Sequence, residues 1–388
     1  MPQIIGGLCH YTDGSEKIEG TFFLLYPLCH KKEEQVYEKA FSFPNKFMLR
    51  AFRGSYFELL CDDNLSFWKY YIKKYMKFFS YNSKKSLLLE VKRRQVERIK
   101  KGIYGSVGRK YYSINEYAES IGRNFINKFV PSGRYICIYA RDSGYYKNGI
   151  GRKLTEDRMI MHSFRNSDID NFSLTCEYFV RNNIYSVRIG SHVESPWYMD
   201  GVIDYASKLH DPFLDIYLQA KCEFVIGDDS GALSFAALFS TPVVSINVPL
   251  VTVHEWDPVQ PMYFDQDLMI MVKMWDMKRQ RFLTLRDMIK YEIDSMQDET
   301  IHPNMGNIYL LYHKNEIKPI MNSPQEILDV AIEMHERIKG IRKYDAIDDE
   351  LQKKYMKILE EANYYKRRFA FPARMGAKFL RENQWLLE

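Results

Sequence analysis

The chain has 388 residues, with 46% hydrophobic and 27% charged side chains and a formal net charge of +5. At roughly 100–200 residues per domain, this length predicts two domains, each able to bury a core beneath a soluble surface. The sequence contains no run of about 18 apolar residues, which excludes a membrane-spanning helix.

The six cysteines form neither a C-x-x-C pair nor a zinc-ligand spacing, and they suggest no disulfide framework. The first residues, Met1–Gly7, lack a basic segment followed by a long apolar one, so we expect no secretory signal. The expected compartment is therefore the reducing cytoplasm, either in solution or at the inner face of the cell membrane.

The first third of the chain alternates strand-like and helix-like segments. The predicted elements are strand Thr21–Tyr26, helix Lys31–Ala40, strand Lys46–Phe52, helix Leu65–Phe79, loop Gly102–Gly108 and helix Tyr112–Phe129. This rhythm favours an α/β domain over residues 1–130.

The helix Leu65–Phe79 begins the most basic stretch of the chain. Residues 69–101 include twelve Lys or Arg and two Glu, a charge of +10. Lys69, Lys73 and Lys77 form one stripe, and aromatic residues fill most other positions, which suits contact with an anionic membrane. A core helix with a solvated lysine stripe is the alternative. Because no nucleic-acid module accompanies the charge, we expect no nucleic-acid partner.

The second half shows buried strands separated by helices. The predicted strands are Arg134–Ala140, Ile184–Ile189, Cys222–Gly227 and Pro242–Ile246. The predicted helices are Asp168–Arg181, one that begins at Asp211-Pro212, Ser230–Phe239, one of about 17 residues after the capping box Ser323–Glu326, and Asp348–Arg368. This alternation predicts a doubly wound parallel sheet.

The most informative segment is Cys222–Pro249, in which a strand ends at Gly227 and the turn Asp228-Asp229-Ser230-Gly231 begins a helix of small residues. The turn would present backbone N–H groups and the Ser230 hydroxyl at a helix N-terminus, which favours an anion. An ordinary capped strand-to-helix turn is the alternative.

The pattern F-V-I-G-x-D-S-G, followed by P-V-V, resembles the donor-phosphate turn of GT-B glycosyltransferases, notably the heptosyltransferases, and is similar to that of GT-B fucosyltransferases. From Arg134 onward the chain also resembles a family of bacterial surface-polysaccharide glycosyltransferases. The matching segments are Ile138–Ser143, Arg165–Phe172, Val187–Gly190, Cys222–Pro249 and Phe379–Leu387.

The resemblance implies an α/β protein with two Rossmann-like domains that face each other across a cleft. It implies an acceptor domain over residues 1–130 and a nucleotide-sugar donor domain over 131–322. It also implies C-terminal helices over 323–388 that pack near the cleft and against the first domain.

Other candidate donor contacts lie near strand ends. Arg141 follows the first strand of the second half, and its planar, permanently charged guanidinium suits a diphosphate. The resemblance to the fucosyltransferase motif His-x-Arg-x-Gly-Asp implies that Arg141 holds the donor β-phosphate, although Tyr139 replaces the histidine and the Gly-Asp is absent. A surface arginine paired with Asp142 is the alternative. The family resemblance implies that Arg165 or Asp168 touches donor or acceptor, whereas capping of the next helix by Ser167 or Asp168 is the alternative.

Arg188 lies in the otherwise apolar strand Ile184–Ile189, where a charge is costly unless it is paired. We expect it to meet a phosphate or the base edge of the donor, and an ion pair with a nearby acid is the alternative. The predicted donor-binding set is Arg141, Arg165, Asp168, Arg188, Asp228, Asp229, Ser230 and Gly231.

An inverting transfer needs a base to take the acceptor proton. Asp142 is the first candidate because it adjoins Arg141, and the other candidates are Asp13 and His10. The remaining histidines, His162 among them, are expected to be structural.

The predicted function is transfer of a sugar from a nucleotide-diphosphate donor to a glycan or lipid-linked acceptor in surface-glycan synthesis. Arg141 and the Ser230 turn would neutralise the leaving group. No metal is therefore expected, despite the adjacent pair Asp228-Asp229. A non-catalytic nucleotide-sugar-binding or assembly protein on the same fold is the alternative.

Overall fold

The structure is a computed structural model that describes residues 116–144, 155–228, 230–233, 236, 239, 241–249, 266–297, 306–361 and 373–388. The chain divides into two compact units, and the second comprises Gly122–Ala237, Thr241–Glu255 and Gln260–Glu388. The predicted elements of the first 115 residues, including helix Leu65–Phe79, lie outside the described residues. The acceptor domain over 1–130 therefore stays a prediction.

The second unit is built on a parallel sheet of seven described strands. They are β1 (Tyr135–Tyr139), β2 (Tyr185–Arg188), β3 (Val202–Ile203), β4 (Val225–Asp228), β5 (Val243–Val248), β6 (Leu268–Met271) and β10 (Arg374–Met375). The four strands predicted for this half correspond to β1, β2, β4 and β5. Their continuous apolar runs are buried on both faces, as expected when helices cover a parallel sheet.

The strand order is β10-β6-β5-β4-β1-β2-β3, and every neighbouring pair is parallel. The chain runs outward from β1 to β2 and β3, and then returns to the other side of β1 to form β4. The strand order therefore reverses between β1 and β4. In open α/β sheets this reversal opens a crevice at the carboxyl ends of the strands, where ligands bind.

Helices connect and cover these strands. The described α-helices are α1 (Glu116–Phe129), α2 (Glu156–Ser163), α3 (Ser173–Arg181), α4 (Tyr205–Lys208), α5 (Pro212–Lys221), α6 (Leu285–Gln297), α7 (Gly306–Lys314), α8 (Pro324–Ile338), α9 (Ala346–Glu361) and α10 (Ala377–Glu382). Helix α8 packs against β5, β6 and α3, and it begins at the predicted capping box of Ser323 and Glu326. The unit is therefore a Rossmann-like α/β fold.

A small antiparallel sheet is formed by residues that lie between β6 and β10 along the chain. It consists of β7 (Lys273–Asp276), β8 (Arg281–Phe282) and β9 (Ile317–Ile320), in the order β8-β7-β9. The sequence did not predict this sheet, because its strands are short and carry little hydrophobic alternation.

The C-terminal segment, predicted as helices over 323–388, also contributes a strand. Strand β10 pairs with β6 at the edge of the parallel sheet, and α10 packs on α8 and α9. Packing of this segment against the first domain stays a prediction. Among the described residues, no helix is long and apolar enough to cross a membrane.

Candidate functional site

The carboxyl ends of β1, β4 and β5 meet around one buried carboxylate, Asp228, the last residue of β4. Asp228 is 2% exposed, and its Oδ2 accepts hydrogen bonds from the Arg141 amide nitrogen at 2.6 Å and from the Ser167 hydroxyl. Its Oδ1 accepts from the Asn247 side-chain amide at 2.8 Å. Asp228 thereby joins the segments that follow β1 and α2 to the end of β5. We call this place the switch-point edge.

Burial raises the pKa of Asp228 to about 6, and the hydrogen bonds from Arg141, Ser167 and Asn247 and the positive charge of Arg141 only partly oppose this. At neutral pH the carboxylate is ionised, so each of its donors stabilises a charge that burial penalises. Both oxygens are directed at the protein itself. The sequence predicted that Asp228 contacts the sugar donor. In the structure its carboxylate instead accepts hydrogen bonds from three segments of the protein and so acts as a structural hub.

A pair of asparagines extends this network across the sheet. The Asn247 amide nitrogen donates to Asn322 Oδ1 at 2.7 Å, and the Asn322 amide nitrogen donates to Asn247 Oδ1 at 2.6 Å. The Asn322 side-chain amide donates to the carbonyl of Met271 at the end of β6. Asn247 has a φ of +48°, a conformation that asparagine tolerates better than most residues. Sequence reasoning missed this pair, and the only local signal is a polar residue inside an apolar strand.

Arg141 lies at the carboxyl end of β1 and is almost completely buried. Its Nη2 is 2.9 Å from His162 Nδ1, and its Nη1 donates to Asn166 Oδ1 at 3.3 Å. The Arg141 carbonyl accepts from the Ser167 amide. The segment Arg165–Phe172, which carries part of the family resemblance, thus contacts Arg141 through Asn166 and Ser167. This contact links two segments that sequence reasoning had singled out separately.

His162 is the main residue of this site whose role the sequence analysis did not recognise. A guanidinium can only donate, so the Nδ1 that faces Arg141 must accept, which leaves the ring neutral with its proton on Nε2. Burial, followed by the charges of Arg141, Arg165 and Arg158, lowers the pKa of His162 to about 4. Three arginines therefore raise the electrostatic potential around a neutral imidazole.

Tyr139 and Ser230 connect β1 to the turn after β4. The Ser230 hydroxyl donates to the Tyr139 hydroxyl at 3.4 Å and accepts from the Ala232 amide at 3.3 Å. Gly227 permits this close approach, because a Cβ there would lie 2.5 Å from the Tyr139 carbonyl oxygen. Burial raises the pKa of Tyr139, so its hydroxyl stays protonated.

The predicted helix Ser230–Phe239 begins as a 3₁₀ helix, Gly231–Leu233. Ala236 is α-helical, whereas residues 234–235 and 237–238 lie outside the described residues. Asp229 lies outside the described residues.

Asp142 and Arg188 belong to a second polar cluster on the β2 side. Asp142 accepts hydrogen bonds from the Gly144 amide at 2.8 Å and the Glu194 amide at 2.9 Å. The buried Arg188 lies 3.7 Å from Asp142 Oδ2 and 3.4 Å from Asp204 Oδ1. Arg188 thus forms the internal ion pair that the sequence left open as the alternative, and its expected contact with a phosphate stays a prediction.

Asp168 caps the next helix, the other interpretation that the sequence allowed for it. Its side chain accepts from the Asp170 amide at 3.0 Å at the start of the 3₁₀ helix Ile169–Phe172. Ser167, the second capping candidate, binds Asp228 instead. Of the predicted base candidates, Asp13 and His10 lie outside the described residues.

Of the predicted site residues, the structure brings Arg141, Asp228 and Ser230 together at the switch-point edge, with Arg165 close to His162. It assigns Asp142 and Arg188 to the neighbouring ion-pair cluster. No family model matches the sequence, and no curated protein or solved structure is significantly similar to it.

Proposed function

We propose that this protein is a GT-B glycosyltransferase that moves a sugar from a nucleotide-diphosphate donor onto an acceptor hydroxyl in surface-glycan synthesis. The donor diphosphate binds at the switch-point edge. The observation that carries the proposal is the position of Arg141, at the carboxyl end of β1 and hydrogen-bonded through its backbone to Asp228 at the end of β4. Nucleotides bind to open α/β sheets at this crevice.

The charge distribution supports an anionic ligand. The Arg141 guanidinium contacts the neutral ring of His162 and the neutral amide of Asn166. These contacts orient the guanidinium, whose planar, permanently charged group of N–H donors suits the bidentate contact that a diphosphate offers. The Ser230 hydroxyl would add a second donor if its proton turned from Tyr139 to the phosphate. In the reaction, these groups stabilise the negative charge that develops on the departing nucleotide diphosphate.

We further propose that transfer is inverting and needs no metal. Both Asp228 oxygens accept hydrogen bonds from the protein, so this carboxylate is a poor candidate for an ion ligand. Arginine would supply the positive charge that a metal provides in other transferases. Activity should survive excess EDTA, and complete loss that Mn²⁺ or Mg²⁺ restores would overturn this part of the proposal.

Asp142, the first candidate for the general base, is held by contacts within the protein. Both of its carboxylate oxygens accept hydrogen bonds from backbone amides, and Oδ2 also lies 3.7 Å from Arg188. These contacts disfavour Asp142 as the group that takes the acceptor proton. Asp13 and His10, expected in the acceptor domain, become the stronger candidates. The acceptor is a glycan or a lipid-linked glycan, which the basic segment Leu65–Phe79, predicted as a helix, would meet at the inner face of the cell membrane.

The first experiment is a thermal-shift screen of the full chain with GDP-, UDP-, ADP- and CDP-sugars. A donor at about 100 times its dissociation constant should stabilise the protein by roughly 2.7 kcal/mol. The stabilising donor is then incubated with the protein, and release of free nucleotide diphosphate is measured. Stabilisation with release supports a transferase, stabilisation alone supports a binding protein, and no stabilisation by any donor contradicts the proposal.

A further inference from the structure

A cavity of about 500 Å³ opens on the surface beside β3 and α4, and neither Arg141 nor Asp228 lines it. Its size lies in the usual range for small-molecule sites, about 300–1,000 Å³. It is lined by Trp197, Tyr198, Met199, Asp200, Val202, Asp204, Lys208 and Leu209. Two aromatic rings, two carboxylates and one ammonium thus converge on one concave surface.

Tyr198 is the most conspicuous part of this surface. It is 73% exposed, the most exposed large apolar or aromatic side chain among the described residues and the only aromatic ring in that group. Lys208 Nζ lies 4.2 Å from the centre of the Tyr198 ring. This cation–π contact restrains the ring although it is largely in water.

Trp197 is also held in place. Its indole N–H donates to Asp170 Oδ1 at 2.7 Å, and its backbone N–H donates to Asp204 Oδ2 at 2.9 Å. Asp204 is itself fixed by Arg188 and by the Ser207 hydroxyl. The wall of the cavity is therefore organised before any ligand binds, which lowers the entropic cost of binding.

We propose that this cavity binds a pyranoside, with one face of the sugar ring stacked on Tyr198. The C–H bonds on one face of a pyranose form a flat, weakly positive surface that matches the negative face of an aromatic ring. Its hydroxyl groups both donate and accept hydrogen bonds. Asp200, which is exposed, accepts hydrogen bonds from them. Because Lys208 covers one face of the Tyr198 ring, the sugar stacks on the other face.

This site does not depend on the proposed transferase activity, because none of its residues belongs to the switch-point edge. It adds a place where a glycan, such as an acceptor chain, is held by the second unit itself. A flat apolar patch would lack the polar groups that a sugar needs, whereas this cavity has both an aromatic platform and a charged rim.

The test titrates the full chain with the methyl pyranosides of glucose, galactose, mannose and N-acetylglucosamine, with glucuronic acid, and with adenosine and uridine as non-sugar controls. Saturation-transfer NMR detects binding, and tryptophan fluorescence gives its affinity. We expect at least one pyranoside to bind, with the affinity lowered at least 10-fold in Tyr198→Ala and changed less than 3-fold in Tyr198→Phe. Ile341→Ala removes another highly exposed apolar side chain, 62% exposed, elsewhere on the surface and should change nothing.

Three outcomes overturn the proposal: no pyranoside binds, pyranoside binding survives in Tyr198→Ala, or only the nucleosides bind. Circular dichroism confirms that each variant is folded, and substitution of an exposed side chain should not alter the fold. Sugar binding that requires Tyr198 in a protein that binds no nucleotide sugar would refute the proposed function alone. Donor turnover without Tyr198-dependent sugar binding would refute this site alone.

Discussion

Two buried charges lie at the carboxyl edge of the same sheet, and the protein stabilises them by different kinds of contact. Arg188, at the end of β2, is 2% exposed and lies between the carboxylates of Asp142 and Asp204. Asp228, at the end of β4, is equally buried, yet hydrogen bonds from an amide nitrogen, a hydroxyl and a side-chain amide stabilise it.

The difference separates a structural cluster from a candidate binding site. The Arg188 cluster contains its own counter-charges and gains nothing from a further anion. At the switch-point edge, Arg141 contacts the neutral side chains of His162 and Asn166, and burial shifts the pKa of Asp228 upward and that of His162 downward. Perturbed ionisable groups in a crevice are typical of functional sites.

The largest expected effect comes from breaking the Arg188 cluster. Arg188→Met keeps most of the side-chain volume but leaves Asp142 and Asp204 without their cation. Removing one partner of a buried ion pair usually costs about 3–5 kcal/mol, so we expect a loss of that size in the free energy of unfolding, measured by urea denaturation. The variant should also destabilise the loop that carries Glu194 and Ser195.

The matched control is Arg181→Ala, which removes an exposed pair with Glu177 on α3. Exposed pairs of this kind contribute about 0.3–0.5 kcal/mol. A cost for Arg188→Met no greater than that of the control would show that the Arg188 cluster is not structural.

Asp228 should make stability depend on pH in the acidic range. Its folded-state pKa of about 6 exceeds the ordinary value for aspartate, about 3.9, so the folded protein binds this proton more tightly than the unfolded chain does. The resulting stabilisation is fully present below about pH 4 and is lost as the pH rises through 6. The Ser167 hydroxyl can rotate to accept a hydrogen bond when Asp228 is protonated.

Asp228→Asn removes this titration. As the pH rises from 4 to 7, the free energy of unfolding of the wild type should therefore fall by about 2–3 kcal/mol relative to that of Asp228→Asn. Urea denaturation at four pH values in this window measures the shift. A difference that stays constant with pH would mean that Asp228 has an ordinary pKa and is not the buried hub described above.

A smaller effect is expected at His162, which we place as a positioning residue for Arg141. His162→Asn keeps an acceptor near the position of Nδ1, whereas His162→Gln places its amide near Nε2. Losing one hydrogen bond to a charged donor costs about 1.5 kcal/mol, so Gln should weaken nucleotide-diphosphate binding by about 10-fold and Asn by much less. Equal losses in the two variants would contradict the positioning role.

The sequence predicted four of the seven parallel strands, β1, β2, β4 and β5, because each lies in a largely apolar run, and it did not predict β3, β6 and β10. It predicted the turn after β4 because aspartate, serine and glycine follow such a run. It did not predict the contact between Asn247 and Asn322, residues 75 positions apart, since no local pattern encodes that pairing. His162 was likewise missed, because a single histidine on a short helix carries no signal until Arg141 is folded against it. Arg188 illustrates the reverse case, since its cost in a buried strand was evident but its partners were not.

We have proposed that Arg141 at the switch-point edge binds the diphosphate of a nucleotide. The most direct test is isothermal titration of UDP, GDP, ADP and CDP into the wild type, Arg141→Ala and the surface control Arg181→Ala. We predict that one nucleotide binds the wild type and Arg181→Ala equally, and that Arg141→Ala weakens it at least 10-fold, about 1.4 kcal/mol. Unchanged affinity in Arg141→Ala, or no binding of any nucleotide diphosphate, would contradict the claim.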